Sequence, residues 1–196
     1  ILPGERDLEV DFINKASKQV DKLIALVNDL LDVSKIQAGQ MIYQFSEVDM
    51  AELIEDVVSQ MQLGVQTHRI IKDNAHIIVE GERQRLEQVL INFLSNAVKY
   101  SPNADEVIIN TELINDQLRV SIRDFGIGVP SDKHELIFDR FFRDQDVSQN
   151  FPGLGLGLYI SADIIKRHGG SVGVQSKGEG SEFYFTLPKV SLKKYN

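Results

Sequence analysis

One long amphipathic helix pattern occupies the start of the chain and limits what the rest can fold into. Between residue 7 and about residue 38, apolar side chains recur at alternating spacings of three and four, and Gly39 follows the last of them. These apolar positions are Ile13, Ala16, Val20, Leu23, Ile24, Val27, Leu30 and Leu31. A helix of about 30 residues is about 45 Å long, which is longer than a small domain needs. The apolar face needs a cover, so the pattern favours a helical bundle or a dimer seam over a helix buried in the following domain.

From residue 41 onward, strand patterns alternate with helix patterns. One helix begins after an N-capping Asp49 with Glu52 three residues later, and Asn115-Asp116 is a hairpin turn. We predict strands at residues 41–48, 69–72, 77–80, 107–113, 118–123, 171–175 and 182–187. We predict two further helices at residues 155–168 and 82–100, the latter with a buried stripe of Leu86, Val89, Leu90, Phe93, Leu94 and Ala97. This order of elements predicts an α/β (α+β) two-layer sandwich with a mixed or antiparallel sheet, and not a doubly wound parallel one.

Charge and composition exclude several classes of protein. The chain has 21 Lys and Arg against 29 Asp and Glu, a formal net charge of −8, which argues against nucleic acid or an anionic membrane as the main partner. It has no cysteine, which excludes disulfides, Cys-ligated zinc and thiol chemistry. No apolar run approaches the roughly 20 residues of a membrane-spanning helix. The first four residues show neither an initiator methionine nor a signal-peptide pattern, so we expect the chain to be part of a longer protein.

Two glycine clusters are the first candidates for a binding site. Gly126 and Gly128 follow a predicted strand, and residues 153–157 (GLGLG) open a predicted helix. Glycine lets the backbone approach a ligand closely, and a helix N-terminus presents free N–H groups to a phosphate. Neither cluster continues into the Gly-Lys-Ser/Thr of a Walker A loop or forms the dinucleotide-binding G-x-G-x-x-G of a βαβ unit. Taken alone, the clusters fit either a phosphate-binding loop or tight turns beside closely packed elements.

The predicted helix at residues 82–100 also carries a polar sector. Asn92, Asn96 and Lys99 lie within about 60° of one another around the helix axis, outside the predicted buried stripe, and Tyr100 is adjacent. Asparagine is a poor helix former, so two of them in mid-helix need a reason. An amide oxygen can coordinate Mg²⁺, a lysine can neutralise a phosphate, and an aromatic ring can stack on a base. The alternative is a solvated helix face that happens to contain asparagine.

The same residues resemble motifs of the sensor histidine kinases. Five segments are similar, in the family's order, to its N, G1, F and G2 boxes and to its closing G-x-G-[ST]-x-F element. These segments are residues 90–100, 124–128, 138–143, 153–158 and 178–183. Residues 27–39 resemble the second helix of the family's dimerisation and phosphoacceptor hairpin. The resemblance covers about residues 8–188, and five boxes in order are a specific signal.

The resemblance implies a fold, cofactors and residue roles. The fold would be the GHKL (Bergerat) ATP-binding type, with helices on one face of a mixed sheet, and the cofactors would be ATP and Mg²⁺. Asn96 would bind Mg²⁺, Asn92 would support metal, water or phosphate, and Lys99 would contact phosphate; these three are the predicted catalytic residues. Tyr100 would pack near the adenosine, and Asp124 would accept a hydrogen bond from the adenine amino group.

The other predicted binding residues belong to the glycine boxes and their neighbours. Ser181 would assist Asp124 through water, and Arg143 would either reach the γ-phosphate or lie at the surface. The F-box rings would hold a lid between the G1 and G2 boxes, although core aromatics at this spacing would look the same; they are Phe138, Phe141 and Phe142. Close approach to the nucleotide is assigned to Gly126 and Gly128. The lid hinge and triphosphate cradle are assigned to Gly153, Leu154, Gly155, Leu156 and Gly157.

The phosphoacceptor is the main departure from the family pattern. The family's first hairpin helix carries a phosphorylatable histidine in a pattern like His-Glu-Leu-Arg-Thr-Pro, which this sequence lacks. We interpret His68, His76, His134 and His168 as surface or capping residues, the last as a cation favoured by a helix end. We therefore assign residues 1–40 to a partial dimerisation and phosphoacceptor region, residues 41–190 to the catalytic ATP-binding domain and residues 191–196 to a tail.

The function implied by the resemblance is two-component signalling. The chain would transfer the γ-phosphoryl group of ATP to a histidine that it does not contain, for onward transfer to a response regulator. Expected partners are the phosphoacceptor helix of the parent kinase, a second copy in a parent homodimer and the regulator, with no nucleic acid and no membrane segment in this fragment. We expect a bacterial cytoplasmic location; attachment of the parent to the inner membrane stays open.

Other function classes are weighed on the same residues. Related GHKL ATPases place a glutamate four residues before the metal asparagine; here that residue is Asn92, whose amide is no general base, which disfavours an ATPase. A pseudokinase or scaffold would need the fold alone, and the intact set of Asn96, Lys99 and Asp124 argues against it. The bundle-like first helix disfavours a protein serine kinase of the anti-sigma type.

Overall fold

The structure, a computed structural model, describes residues 5–73, 75–144, 151, 153–176 and 179–189. The chain divides into two compact units, residues 1–41 and residues 42–196. Several parts of the sequence predictions lie outside the described residues. They are residues 1–4 of the predicted 1–40 region, Gly178 of the closing box, residues 145–150 and 152 of the predicted lid, residue 190 of the predicted catalytic domain and the predicted tail at residues 191–196.

A single helix, α1 (Glu5–Gln37), makes up nearly all of the described first unit. Gly39 follows it with φ = 64°, and its N–H donates to Ile36 O over 3.1 Å. The Gln40 N–H donates to Lys35 O over 2.9 Å, which completes a Schellman motif. Glycine is favoured in this left-handed conformation because it has no Cβ. The predicted long helix and its glycine stop are confirmed.

The second unit contains seven described strands and three described α-helices. The strands are β1 (Ser46–Asp49), β2 (Arg69–Asp73), β3 (Ile78–Gly81), β4 (Glu106–Ile114), β5 (Gln117–Asp124), β6 (Ser171–Gln175) and β7 (Ser181–Pro188). The helices are α2 (Met50–Gly64), α3 (Arg83–Tyr100) and α4 (Gly157–Arg167). Five strands form a mixed sheet in the order β2-β4-β5-β7-β6, in which only β2 and β4 are parallel among the described strands. A smaller sheet pairs β1 with β3.

Helix α3 packs its apolar face on this sheet. The Phe93 ring lies edge-on to two rings of β7, with 5.9 Å between centroids to Phe183 and 6.0 Å to Phe185. The predicted buried stripe of this helix is the set of its buried residues: Leu86, Val89, Leu90, Phe93, Leu94 and Ala97. The predicted mixed-sheet α/β fold is therefore confirmed.

The hairpin between β4 and β5 has the turn that its sequence predicts. Asn115 and Asp116 have φ values of 50° and 60°, as a type I′ turn requires, and these residue types tolerate that conformation. The turn sets Ile114 opposite Gln117 in the strand register. With this register, alternate residues of β5 face the core and Asp124 ends the strand.

Two predicted elements are too long. The strand predicted at residues 41–48 is wrong before residue 46, because only Ser46–Asp49 has a partner strand. In that segment the rings of Tyr43 and Phe45 pack against the ring of His168 instead. The helix predicted at residues 155–168 begins at Gly157, since Gly155 has φ = 70° and cannot be helical.

The interpretation of the histidines as surface or capping residues is wrong for His68. This side chain is buried, and its ring nitrogens bond Thr67 Oγ1 and Ser101. His168 does cap α4, but it is buried, and burial lowers its pKa, so the capping group is not the expected cation. His76 is exposed, as expected.

Helix α2 begins with the predicted N-cap, which allows a test of local stability. Asp49 Oδ1 accepts a hydrogen bond from Ala51 N–H over 2.8 Å. We expect Asp49→Ala to lower the free energy of unfolding by about 1 kcal/mol, measured by urea denaturation, because the first turn loses its cap. Asp49→Asn is the matched control: asparagine caps equally well, so this variant should unfold at the wild-type midpoint although it loses the charge that faces His76. An asparagine variant as unstable as the alanine variant would assign the effect to the ion pair instead.

Candidate nucleotide-binding site

Two asparagines of α3 form an ordered amide pair beside the start of α4. The Asn92 Nδ2 group donates to Ser161 Oγ over 2.9 Å, and Asn96 Nδ2 donates to Asn92 Oδ1 over 3.4 Å. These bonds fix the direction of both amides and leave Asn96 Oδ1 on the side away from Asn92. A Cβ at Gly157 would overlap the Asn92 amide, so glycine at the start of α4 leaves room for the amide in this position.

Lys99 and Tyr100 lie at the end of α3, next to the glycine loop. Lys99 Nζ donates to Tyr100 OH over 3.2 Å and lies 4.7 Å from the centroid of that ring. A Cβ at Gly153 would lie 3.5 Å from Lys99 Nζ, which places the ammonium group beside the loop backbone. The Tyr100 ring also contacts Phe151, with 4.8 Å between centroids. A positive charge and an aromatic face thus border the same glycine loop.

Asp124 is a buried carboxyl group at the end of β5. It is 2% exposed, and its Oδ1 accepts hydrogen bonds from Gly126 N–H over 2.9 Å and Ser181 N–H over 3.3 Å. Burial raises the pKa of this carboxyl, and the two backbone hydrogen bonds oppose that rise. A buried carboxyl held in place by backbone donors is suited to accept a hydrogen bond from a ligand amino group.

Glycines let three backbone segments meet around this carboxyl group. A Cβ at Gly126 would overlap the carbonyl oxygen of Tyr100, and one at Gly180 would overlap that of Asp124. Gly180 N–H donates to Gly126 O over 3.0 Å, and Ile127 N–H donates to Tyr100 O over 3.2 Å. The end of α3, the end of β5 and the start of β7 are therefore in direct contact. The residue after Ile127, Gly128, has φ = 73°.

The glycine loop before α4 contacts the segment that contains the F box. Phe141 N–H donates to Gly155 O over 3.0 Å, and a Cβ at Gly155 would lie 2.5 Å from Phe142 O. Phe141 itself is 52% exposed and has φ = 64°, a left-handed conformation that is strained for a bulky residue. The F-box segment thus supports the loop through backbone contacts.

The remaining predicted residues divide between the loop and the core. Arg143 donates through an η nitrogen to Phe151 O over 2.6 Å and so lies beside the residue that contacts Tyr100. Leu154 is exposed, whereas the side chain of Leu156 is buried in the core, so that only its backbone can face a ligand.

The structure brings most of the predicted site residues together. The amide pair, Lys99 and the glycine loop form one part, and Tyr100, Asp124, Ser181 and the G1 glycines form the adjoining part. Sequence reasoning missed Ser161, which holds Asn92, and Phe151, which contacts Tyr100. Ser161 could have been found because it is a small polar residue among the buried apolar residues of α4, which are Ile160, Ile164 and Ile165.

A cation at this site would depend on amide oxygens. Among the described residues there is no group of three or more His, Cys, Asp or Glu side chains that could hold a metal ion. Mg²⁺ is commonly bound by one or two protein oxygens, waters and the phosphate oxygens of a ligand. Asn96 Oδ1 fits that kind of shared coordination, whereas Asn92 Oδ1 accepts the hydrogen bond from Asn96 Nδ2.

Comparison with known proteins agrees with this geometry. Residues 81–191, more than half of the chain, match the family described as histidine kinase-, DNA gyrase B- and HSP90-like ATPase. The chain belongs to this family. The resemblance to sensor histidine kinases, and the GHKL fold it implies, are confirmed.

Two curated relatives are much longer than this chain. The hybrid signal transduction histidine kinase B of Dictyostelium discoideum is 36% identical over 190 residues, which are 91% of this chain and 10% of the relative. The sensor histidine kinase WalK of Bacillus subtilis (strain 168) is 32% identical over 193 residues, 93% of this chain and 31% of the relative. The chain thus spans less than a third of either relative.

Two solved structures share the fold over nearly the whole chain. Full-length ShkA in complex with AMPPNP matches 92% of this chain and 39% of that chain, with a TM-score of 0.77 and 29% identity. The histidine kinase ThkA in complex with the response regulator protein TrrA matches 93% of this chain and 52% of that chain, with a TM-score of 0.72 and 28% identity. In the described part of the present chain, none of the helices combines the length and apolar character needed to cross a membrane.

Proposed function

We propose that the chain binds ATP with Mg²⁺ and acts as the catalytic part of a sensor histidine kinase. The observation that carries the proposal is the amide pair of Asn92 and Asn96, fixed by Ser161 and the glycine loop and bordered by Lys99. Amide oxygens, one ammonium group and glycine backbone suit a triphosphate and its magnesium ion. At the other end, Asp124 offers an acceptor, which suits the amino group of adenine and not the carbonyl oxygen of guanine.

Each site residue has a role in this proposal. Asn96 Oδ1 would coordinate Mg²⁺, and Asn92 would support the metal or its waters. Lys99 would exchange its hydrogen bond to Tyr100 for one to a phosphate oxygen. Bound Mg²⁺ would neutralise negative charge on the phosphate oxygens. The chain itself then supplies position and charge, which are the main contributions that proteins make to phosphoryl transfer.

The identity of residue 92 supports phosphoryl transfer to histidine over hydrolysis. Hydrolysis benefits from a group that activates water, and the Asn92 amide cannot accept a proton at pH 7. Its Nδ2 group is also engaged by Ser161. A neutral imidazole is itself the nucleophile and needs no such base, so an amide at this position is compatible with a histidine acceptor.

None of the four histidines of this chain lies in a pattern like His-Glu-Leu-Arg-Thr-Pro. Buried His68 and His168 have both ring nitrogens in hydrogen bonds. His76 Nδ1 bonds Asp49, and His134 Nε2 bonds Val129 O. The absence of the family's histidine pattern supports an acceptor histidine on a different segment of a parent protein or on a second molecule.

The proposed partners follow from the same assignment. The apolar stripe of α1 is exposed, for example at Leu23 (60% exposed), which supports a second copy or a further helix as its cover. The complex of ThkA with TrrA supports a response regulator as the final phosphoryl acceptor.

Three measurements on the chain test the proposed function. We expect Mg·ADP binding by calorimetry, ATP hydrolysis below about one turnover per minute without an acceptor, and transfer of labelled γ-phosphate to an added histidine-bearing hairpin. The control is the same hairpin with its histidine replaced by alanine. Hydrolysis of many ATP molecules per minute would favour an ATPase, and absence of nucleotide binding would favour a scaffold.

A further inference from the structure

His168 lies where separate parts of the second unit meet. It is 4% exposed and follows the last residue of α4. Its Nδ1–H donates to Ile164 O over 2.7 Å, and its Nε2 accepts from the backbone N–H of Glu82 over 3.0 Å. Because Nε2 accepts, the proton of the neutral ring is on Nδ1. One neutral imidazole thus joins the last turn of α4 to the residue that precedes α3.

The ring is tightly packed on the side of α3. A Cβ at Gly81 would lie 2.8 Å from His168 Cδ2 and 2.9 Å from Leu86 Cδ1. Glu82, the N-cap of α3, makes no side-chain capping hydrogen bond of its own. The His168 ring is therefore in close contact with the residues around the first turn of α3.

Two aromatic rings cover the other side of His168. The ring of Tyr43 lies 5.5 Å and that of Phe45 4.9 Å from the His168 centroid, both edge-on, and the two rings stack on each other. We call Tyr43, Phe45 and His168 the aromatic cluster. Residues 42–45 directly follow the first unit in sequence, so the cluster holds the segment through which the chain enters the second unit.

Charged groups of both helices face the aromatic cluster. Glu82 and Arg85 lie at the start of α3, and Asp163 and Arg167 lie near the end of α4. Burial raises the pKa of Tyr43 to about 12. Burial also lowers the pKa of His168, against the opposing effects of its bond to Ile164 and of the Glu82 carboxylate. The cluster is thus neutral near pH 7, with charges of both signs around it.

The same two helices form the amide side of the nucleotide site. Asn92 on α3 and Ser161 on α4 are joined by a hydrogen bond of 2.9 Å. Helices α3 and α4 pack on each other, and side-chain hydrogen bonds join the two at Asn92 and, through the residue before α3, at His168. Because packed helices move as rigid elements, a change in their spacing at one point alters the other.

We propose that His168 is a positioning residue of the nucleotide site. By joining residues 42–45, the start of α3 and the end of α4, it sets the spacing of the helices at which Asn92 meets Ser161. The inference rests on the proposed function, because it concerns affinity for a nucleotide.

Two substitutions of His168 separate its hydrogen bonds from its packing. His168→Phe keeps an aromatic ring and removes both bonds, whereas His168→Gln keeps an oxygen that can accept from the Glu82 N–H. We expect the phenylalanine variant to bind Mg·ADP about ten-fold more weakly than the wild type, and the glutamine variant to stay within about three-fold of it. His76→Gln, the same change at an exposed histidine, is the control and should bind as the wild type does. A phenylalanine variant that folds and binds within about three-fold of the wild type would overturn the inference.

The pH profile of binding separates positioning from a general loss of stability. Burial lowers the pKa of His168 below the ordinary histidine value, and once the pH falls through that lowered pKa, a proton on Nε2 prevents it from accepting from Glu82. As the pH falls through this lowered pKa, we expect the wild-type affinity for Mg·ADP to fall more steeply than that of the glutamine variant, which has no such proton to gain. Identical pH profiles of the wild type and the glutamine variant would overturn the inference. This test does not use the phenylalanine variant and so holds even if that variant does not fold.

A further readout needs no nucleotide and isolates this inference from the proposed function. In the nucleotide-free chain, the side-chain amide NMR signals of Asn92 should shift in the His168 variants, more in the phenylalanine than in the glutamine variant, and stay in place in His76→Gln. If the wild type binds no Mg·ADP, the proposed function is wrong. The NMR comparison then still tests whether His168 positions the Asn92 amide. Unchanged Asn92 signals in both His168 variants would show that the ring does not position the amide.

Discussion

An Asp124→Asn variant is expected to bind Mg·ADP about 100-fold more weakly than the wild-type chain. The substitution preserves the shape of the side chain, and the amide oxygen can still accept from the Gly126 and Ser181 N–H groups. The amide NH₂ group then faces the adenine amino group, and two donors cannot pair. Calorimetric titration at neutral pH measures the loss.

A second ligand serves as the matched control for this variant. Inosine diphosphate has a carbonyl oxygen where ADP has its amino group, so it should pair with the asparagine NH₂. We expect the variant to prefer inosine diphosphate and the wild type to prefer ADP. If both proteins bind ADP equally well, Asp124 does not recognise the base, and the scaffold interpretation gains support.

An Asn96→Ala variant should lose the dependence of nucleotide binding on Mg²⁺. It should also transfer the γ-phosphoryl group at least about 100-fold more slowly, because the proposed metal ligand Asn96 Oδ1 is gone. The measurement is a pair of ADP titrations, one with Mg²⁺ and one with a chelator. In the wild type Mg²⁺ should strengthen binding, and in the variant the two titrations should coincide.

Ser95→Ala is the control for Asn96→Ala on the same helix. Ser95 is exposed, and its hydroxyl donates to the backbone carbonyl oxygen of Asn92 over 3.0 Å, not to the side chains of the amide pair. This variant should keep both the wild-type affinity and its Mg²⁺ dependence. Persistence of the Mg²⁺ effect in Asn96→Ala would assign the metal to another group.

The prediction of α3 succeeded because its signal is local. Apolar residues at helical spacing report which face of a helix is buried, and all six predicted core positions of α3 are buried. The glycine boxes are local in the same sense. A Cβ at Gly126 would overlap the backbone carbonyl of Tyr100, and one at Gly157 would overlap the side-chain amide of Asn92. Glycine in the sequence therefore indicates these close contacts.

The prediction failed where a residue's environment comes from distant parts of the chain. Residues 41–45 have strand-forming side chains but pair with no strand in the described part of the chain, and the rings of Tyr43 and Phe45 pack on His168 instead. His68 was expected in a polar connection, yet it is buried against Ser101, 33 residues away. Ser161 showed only a weak signal, because its role depends on Asn92 in another helix.

The sequence by itself determined the helices, the hairpin turn, the class of fold and the residue types of the nucleotide site. These follow from spacing along one element, where 3.6-residue and 2-residue periodicities decide which side chains share a face. Only the tertiary structure decided which strands pair apart from the β4–β5 hairpin, that Ser161 orients the Asn92 amide, and that His168 is a buried neutral group between α3 and α4. The physical reason is that burial and hydrogen-bond partners are properties of contacts between distant segments, and local periodicity carries no information about those contacts.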